Sequence, residues 1–330
     1  MNERLVGRDL LAQVDDLIGP DLAEVEQIFR RELEGREPCV RDVFAHVSRF
    51  RGKRLRPMLV LLAARAAGRT TREHLVLAAV VEMIHTATLV HDDVLDGAET
   101  RRHVATVNAR WNNQTSVLFG DYLFTHAFHL ASSLDTTYAC RLIGRATNIV
   151  CEGELAQIHE RGNLELDEDR YLEIIGAKTA ELCALCCRLG AHSAGAEAGA
   201  ADALERYGRS LGVAFQITDD ILDLLGTEAE TGKSLGTDLE QQKMTLPLIR
   251  LLASTPEPDS SRVRELLLRP GGESWSELQR LLERSDAIEY ATARAAESAA
   301  EACLQLAVLE PTPARAILEA VTEFAVRRSF

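Results

Sequence analysis

The chain has 330 residues and a formal net charge of −14, a balance that argues against general nucleic-acid binding. Hydrophobic residues make up 46% of it and aromatics 5%, enough for a large core and compatible with one all-α domain spanning 1–330. The seven cysteines show neither disulfide-framework nor zinc-ligand spacing, and Cys183, Cys186 and Cys187 lie on an apolar helical pattern, so buried free thiols and a reducing, cytoplasmic setting are expected.

Charges are spread through MNERLVGRDLLAQVDD, so no signal-peptide core is expected there. Residues 8–50 carry amphipathic helical patterns, with 1–35 read as an N-terminal helical region serving packing or dimerisation. Next comes FRGKRLRPMLVLLAARAAG, where Lys53, Arg54 and Arg56 precede a helix opened by Pro57. Basic side chains beside a helix N-terminus make a ready anion site.

Residues 74–102, HLVLAAVVEMIHTATLVHDDVLDGAETRR, form an apolar run that ends in three aspartates and two arginines. The run is about as long as a short membrane span, but Glu82, His85 and His91 interrupt it, so an interior helix is expected instead of a transmembrane segment. Asp92, Asp93 and Asp96 sit at i, i+1 and i+4, which stacks Asp92 and Asp96 on one helical face. Stacked carboxylates repel, and a divalent cation with oxygen ligands relieves them.

Residues 115–131 are apolar, with Gly120 and Asp121 interrupting, and helical patterns continue through CEGELAQIHERG and ELDEDRYLEIIGAKTAELCALCCRLG. Lys178 and Thr179 fall inside the latter. A lysine in such a pattern is more often solvated, but its apolar flanks point inward. QITDDILD then repeats the acidic spacing with Asp219, Asp220 and Asp223, and a polar loop follows with Gly232, Lys233, Gly236 and Lys243. Beyond 250 the chain reads as helices broken by PEPDSS, RPGGESW and EPTPAR, with no strand alternation and no short-period repeat. Six carboxylates brought to one cavity would require several metal ions and a polyanionic ligand.

The pairing of the two acidic motifs resembles the hallmark of the trans-isoprenyl diphosphate synthases, the polyprenyl synthase family. The likeness runs from about Gly52 to Lys243. It implies a helical bundle around a central cavity, and condensation of an allylic diphosphate with isopentenyl diphosphate. By the same resemblance, Asp92 and Asp96 bind two Mg²⁺ ions and Asp219 a third, with Asp223 supporting through water; Asp93 and Asp220 complete the metal-binding motifs. Arg101, Lys178 and Lys233 match residues that hold the allylic diphosphate, with Lys243 close by. Lys53, Arg56, His85 and Arg102 match the isopentenyl diphosphate site. Thr179 and Gln216 match positions whose oxygens face the developing cation. Taken alone, His85 reads as a core histidine, and only its place in the pattern IHxxxLxHDD gives it a role in binding; His91 reads as structural. A homodimer is implied as well, and a greasy product is compatible with peripheral membrane association.

Within the fold, a terpene cyclase would carry a mixed second motif and would lack the basic set of GKRLRP, and a non-catalytic synthase subunit would have lost aspartates. A helical turn rises about 5.4 Å, close to one isoprene unit, so the helix before Asp92 can act as a ruler. Thr88 and Ala87, then Ile84, lie on its cavity face, and none is aromatic. Family members that stop at farnesyl length usually carry an aromatic at one of the first two of these positions, so open space and a long product are expected, on the order of six to ten isoprene units by the same ruler, with a short-chain (farnesyl or geranylgeranyl) synthase as the alternative. Phe124 and Phe128 are the candidates for its floor. Ala87→Phe is expected to shorten the product, and an unchanged product ladder on chromatography would count against the ruler.

Overall fold

The computed structural model describes residues 3–35, 37–50, 52, 54–225, 236–269 and 272–327. The chain is helical almost throughout and divides into two compact units, the first comprising 1–145, 182–205 and 306–320 and the second 146–181, 206–305 and 321–330. Where the sequence suggested one domain, the divisions fall inside continuous helices and not at Gly- or Pro-rich linkers.

The first unit is built around α4 (Arg72–Leu95), which packs against α1 (Glu3–Glu32), α3 (Leu55–Ala67) and α6 (Asn113–Ser132). Apolar residues surround α4 on nearly every side, as a helix enclosed by other helices requires. By length and composition α4 could cross a membrane, but 67% of its most apolar stretch is buried, as expected for the interior helix read from the sequence. Its start is fixed by a capping box, with the Thr71 hydroxyl bonded to the backbone at position 74 and the Thr71 N–H donating to Nδ1 of His74 at 3.0 Å. The other ring nitrogen of His74 donates to the Gly190 carbonyl at 3.1 Å, which ties α4 to α9 (Glu181–Ser193). His91 has the structural place expected of it, with Nε2 donating to the Val117 carbonyl of α6 at 3.1 Å.

A short hairpin pairs Thr100–Arg101 with Val104–Ala105 directly after the first acidic motif. No strand alternation announces it in the residue pattern. Both connecting residues, Arg102 and His103, have positive φ (52° and 62°), as a two-residue type I′ connection demands. That turn is normally signalled by Asn-Gly, and an Arg-His pair carries no such signal.

The second unit contains α8 (Glu168–Ile175), a π-helical turn (Gly176–Ala180) and most of α10 (Ala198–Leu225). Its core joins Tyr171, Ile174, Ile217, Ile221 and Leu224 to Leu246, Leu248 and Leu251. The small residues Ala287, Ala291 and Ala295 recur every four positions along Ala287–Gln305 and are buried, where that helix meets Leu246–Ser254. The three clustered cysteines are buried free thiols, as expected.

Both nitrogens of the fully buried His74 are committed to the neutral ring, and burial holds its pKa below 6.5 although Glu73 and Asp21 favour the charged form. The unfolded chain therefore takes up a proton that the fold refuses, and stability is expected to fall as pH drops below 6.5. Calorimetry across that range checks this. His74→Gln, which keeps a capping-box side chain but cannot titrate, should flatten part of the fall.

Candidate active site

In the first unit the acidic motif occupies the last turn of α4, with Asp96 as its C-cap residue. The three carboxylates are not equivalent. Asp93 is fully buried, and its Oδ1 accepts from Nε and Nη2 of Arg101 at 2.8 and 2.7 Å. Asp92 and Asp96 keep partial exposure one turn apart. They sit at the carbonyl end of a helix, where the macrodipole disfavours anions and favours a cation. Arg101, expected to hold the allylic diphosphate, is itself buried and spans from the hairpin to Asp93.

The basic residues gather around the start of α3. Arg56 Nη1 donates to His85 Nε2 at 3.0 Å, so that nitrogen carries no proton. Burial, then the charge of Arg56, holds the His85 pKa well below its ordinary value, which keeps the ring neutral. Arg102 donates from Nη1 to the Phe50 carbonyl at 2.8 Å. Burial, followed by repulsion from Arg101, lowers its pKa as well. Guanidiniums this close repel one another, and a polyanion is the ligand that relieves them. Arg54, the N-cap of α3, has φ 52° and pairs with Glu82 and with Glu26. Non-glycine residues in this region cost about 1–3 kcal/mol each and cluster at functional sites, and Arg54 and Arg102 both occupy it. Lys53 lies outside the described residues.

Of the chain-length candidates, Ala87 and Ile84 are enclosed, at 0% and 1% exposure. Thr88 keeps partial exposure, and its hydroxyl donates to the His85 carbonyl at 2.9 Å. Phe124 and Phe128 are half-buried on α6 and stack with centroids 6.2 Å apart.

In the second unit Lys178 and Thr179 lie in the π-helical turn, a feature that recurs at functional positions. Lys178 is 2.6 Å from Glu154 and donates to Gln157 Oε1 at 2.8 Å. Both acceptors come from α7 (Tyr138–His159). That helix approaches closely because Gly153 faces the turn: a Cβ there would stand 2.7 Å from the Lys178 nitrogen. Gly212 does the same for α10, where a Cβ would meet the Ala180 Cα at 2.5 Å.

A hydrogen-bonded chain then reaches the second motif. Thr179 donates to Gln216 Oε1 at 2.8 Å, Gln216 Nε2 donates to Asp220 Oδ1 at 2.7 Å, and Tyr171 donates to Asp220 Oδ2 at 2.7 Å. Asp220 is thus the counterpart of Asp93, buried and held inside its own unit. Burial first, then Asp238, pushes its pKa up to about 8. Asp219 and Asp223 keep partial exposure. Asp223 Oδ2 accepts from the Asp238 N–H at 3.2 Å, and Lys243 lies 3.4 Å from the Asp238 carboxylate. Lys233 lies outside the described residues.

Among the described residues, no three His, Cys, Asp or Glu side chains converge closely enough to enclose a metal by themselves. The donor set is one of hard oxygens in half-exposed pairs, which suits a cation that takes one or two carboxylates and completes its shell with phosphate and water. Sequence reasoning missed Glu82, Glu154, Gln157 and Tyr171 as partners of the site. Only Glu82 carried a signal, as a charge interrupting an apolar run.

The sequence profile described as Polyprenyl synthetase matches residues 37–284. The octaprenyl diphosphate synthase of Escherichia coli K12 is 34% identical over 321 residues, covering 96% of this chain and 99% of that protein. The all-trans-nonaprenyl-diphosphate synthase (geranyl-diphosphate specific) of Rhodobacter capsulatus is 37% identical, covering 97% and 98%. Among solved structures, the polyprenyl synthase of Caulobacter crescentus CB15 complexed with calcium and isoprenyl diphosphate superposes with a TM-score of 0.92 at 36% identity, covering 96% of this chain and 97% of that one. With two acidic motifs of matching internal architecture on an all-α scaffold, the chain belongs to the polyprenyl synthetase family of trans-isoprenyl diphosphate synthases, enzymes that transfer prenyl groups.

Proposed function

We propose that the chain condenses an allylic diphosphate with isopentenyl diphosphate, releases diphosphate, and builds a long-chain all-trans polyprenyl diphosphate. The observation that carries this reading is the twofold occurrence of one arrangement, a buried middle aspartate flanked by two half-exposed carboxylates. The long product is supported by the octaprenyl and nonaprenyl synthases among the relatives and by the absence of an aromatic at positions 84, 87 and 88.

Asp92, Asp96, Asp219 and Asp223 would hold Mg²⁺, three ions by family resemblance. When bound, the metal supplies charge neutralisation for the leaving diphosphate. By the same resemblance Arg101, Lys178 and Lys233 would hold that group, with Lys243 assisting. Arg56, Arg102 and Lys53 hold isopentenyl diphosphate, with the neutral His85 positioned by Arg56. The Thr179 hydroxyl and the Gln216 amide oxygen are joined by a hydrogen bond, and by family resemblance their oxygens would face the carbon that becomes electron-poor. No side chain is needed as base, because the released diphosphate accepts the proton. The proposed assembly is a homodimer, and Leu118, 68% exposed on α6, offers apolar surface for it. Cytoplasmic residence with peripheral membrane contact suits a hydrophobic product.

Incubation with farnesyl diphosphate, labelled isopentenyl diphosphate and Mg²⁺ is expected to give a ladder ending in a long polyprenyl diphosphate. Chelation should abolish turnover, and added Mg²⁺ should restore it. Cyclic hydrocarbon, or turnover intact after Asp92→Ala with Asp219→Ala, would overturn the reading. The aspartates should also separate by role. Asp93→Asn leaves a buried arginine without its charge partner and should cost about 3–5 kcal/mol of stability. Asp96→Asn should leave the melting temperature nearly unchanged while raising the Mg²⁺ concentration needed for half-maximal rate.

A further inference from the structure

A buried carboxylate beside an anion site works against the site unless it does something else there. Glu82 is such a group. It lies within α4 at 7% exposure, one turn before His85. One of its oxygens pairs with the guanidinium of Arg54, and the other has no hydrogen-bond partner among the described residues. Arg54 reaches a second carboxylate, Glu26 of α1, at 2.8 Å, and its guanidinium lies 5.5 Å from the Phe29 ring centre. Thus three elements, α1, α3 and α4, are joined through one arginine whose backbone is left-handed. Two residues further on is Arg56, bonded to His85. The carboxylate also lies in the field of Arg56 and Arg102, whose mutual repulsion it offsets.

We propose that Glu82 is a positioning residue for isopentenyl diphosphate: by clamping Arg54 it fixes the left-handed start of α3, and so sets Arg56 and His85 where the diphosphate is received. This rests on the assignment of Arg56, His85 and Arg102 to isopentenyl diphosphate made above. The negative charge of Glu82 also keeps the arginine cluster together before substrate arrives. A merely structural ion pair would affect both substrates alike; a positioning role touches one of them.

The test is steady-state kinetics of Glu82→Gln in the full chain, varying isopentenyl diphosphate at saturating farnesyl diphosphate and then the reverse. The KM for isopentenyl diphosphate is expected to rise about tenfold or more, as for loss of a charged hydrogen bond, while the KM for farnesyl diphosphate stays within about twofold. Glu82→Asp should recover part of the loss. If Glu82→Gln does not fold, Arg54→Lys, which keeps the charge but not the two-sided fork, is read the same way. Parallel changes in both KM values, or none, would overturn the proposal. Arg56→Ala separates the two levels of inference. If it leaves the isopentenyl KM unchanged, the underlying assignment falls; if it raises that KM and Glu82→Gln does not, only the positioning role falls.

Discussion

Like charges one helical turn apart at the carbonyl end of a helix are the constraint from which the site follows. Asp92 and Asp96 stand in that position on α4, and both the macrodipole and their mutual repulsion disfavour them. The fold does not cancel this charge evenly. It neutralises the middle aspartate, giving Asp93 to Arg101 and, in the second unit, Asp220 to Tyr171 and Gln216. Each motif therefore uses one carboxylate to hold its helix end in place, while the other two keep partial exposure. A DDxxD pattern, read this way, combines a buried structural lock with a pair of partly exposed carboxylates.

The cationic groups obey the converse logic. Arg102 is drawn below its ordinary pKa by burial and by Arg101, and His85 is held neutral by burial and by Arg56, so the basic region resists further positive charge. The backbone of the same region is irregular as well: Arg54 and Arg102 adopt left-handed conformations that ordinary side chains avoid. Neighbouring carboxylates decide which arginines remain for substrate. Arg101 and Arg54 are occupied by Asp93 and Glu82, whereas Arg56 donates to the neutral ring of His85.

The legible parts of this arrangement were those written in local spacing. The i, i+1, i+4 aspartates, the basic run before α3 and the interior character of residues 74–91 are properties of neighbours along the chain, and the helices preserve them. The hairpin at Arg102–His103 was hidden because its turn uses residues with no preference for positive φ, so only tertiary packing explains it. The division of labour among the aspartates was hidden for a different reason. Asp93 and Asp220 differ from their neighbours through partners 8 and 49 positions away, and spacing alone cannot weigh such contacts.

Irregular backbone marks the same places as the chemistry. The π-helical turn carries adjacent residues to two neighbouring helices, Lys178 to Gln157 of α7 and Thr179 to Gln216 of α10. Glycines at 153 and 212 permit that turn by admitting the neighbouring helices to backbone contact. In the first unit the type I′ turn does comparable work, directing Arg101 to Asp93 and Arg102 toward Phe50 from consecutive positions. Regular helices supply the scaffold and the spacing of the acidic motifs, while the departures from regularity send neighbouring side chains in different directions.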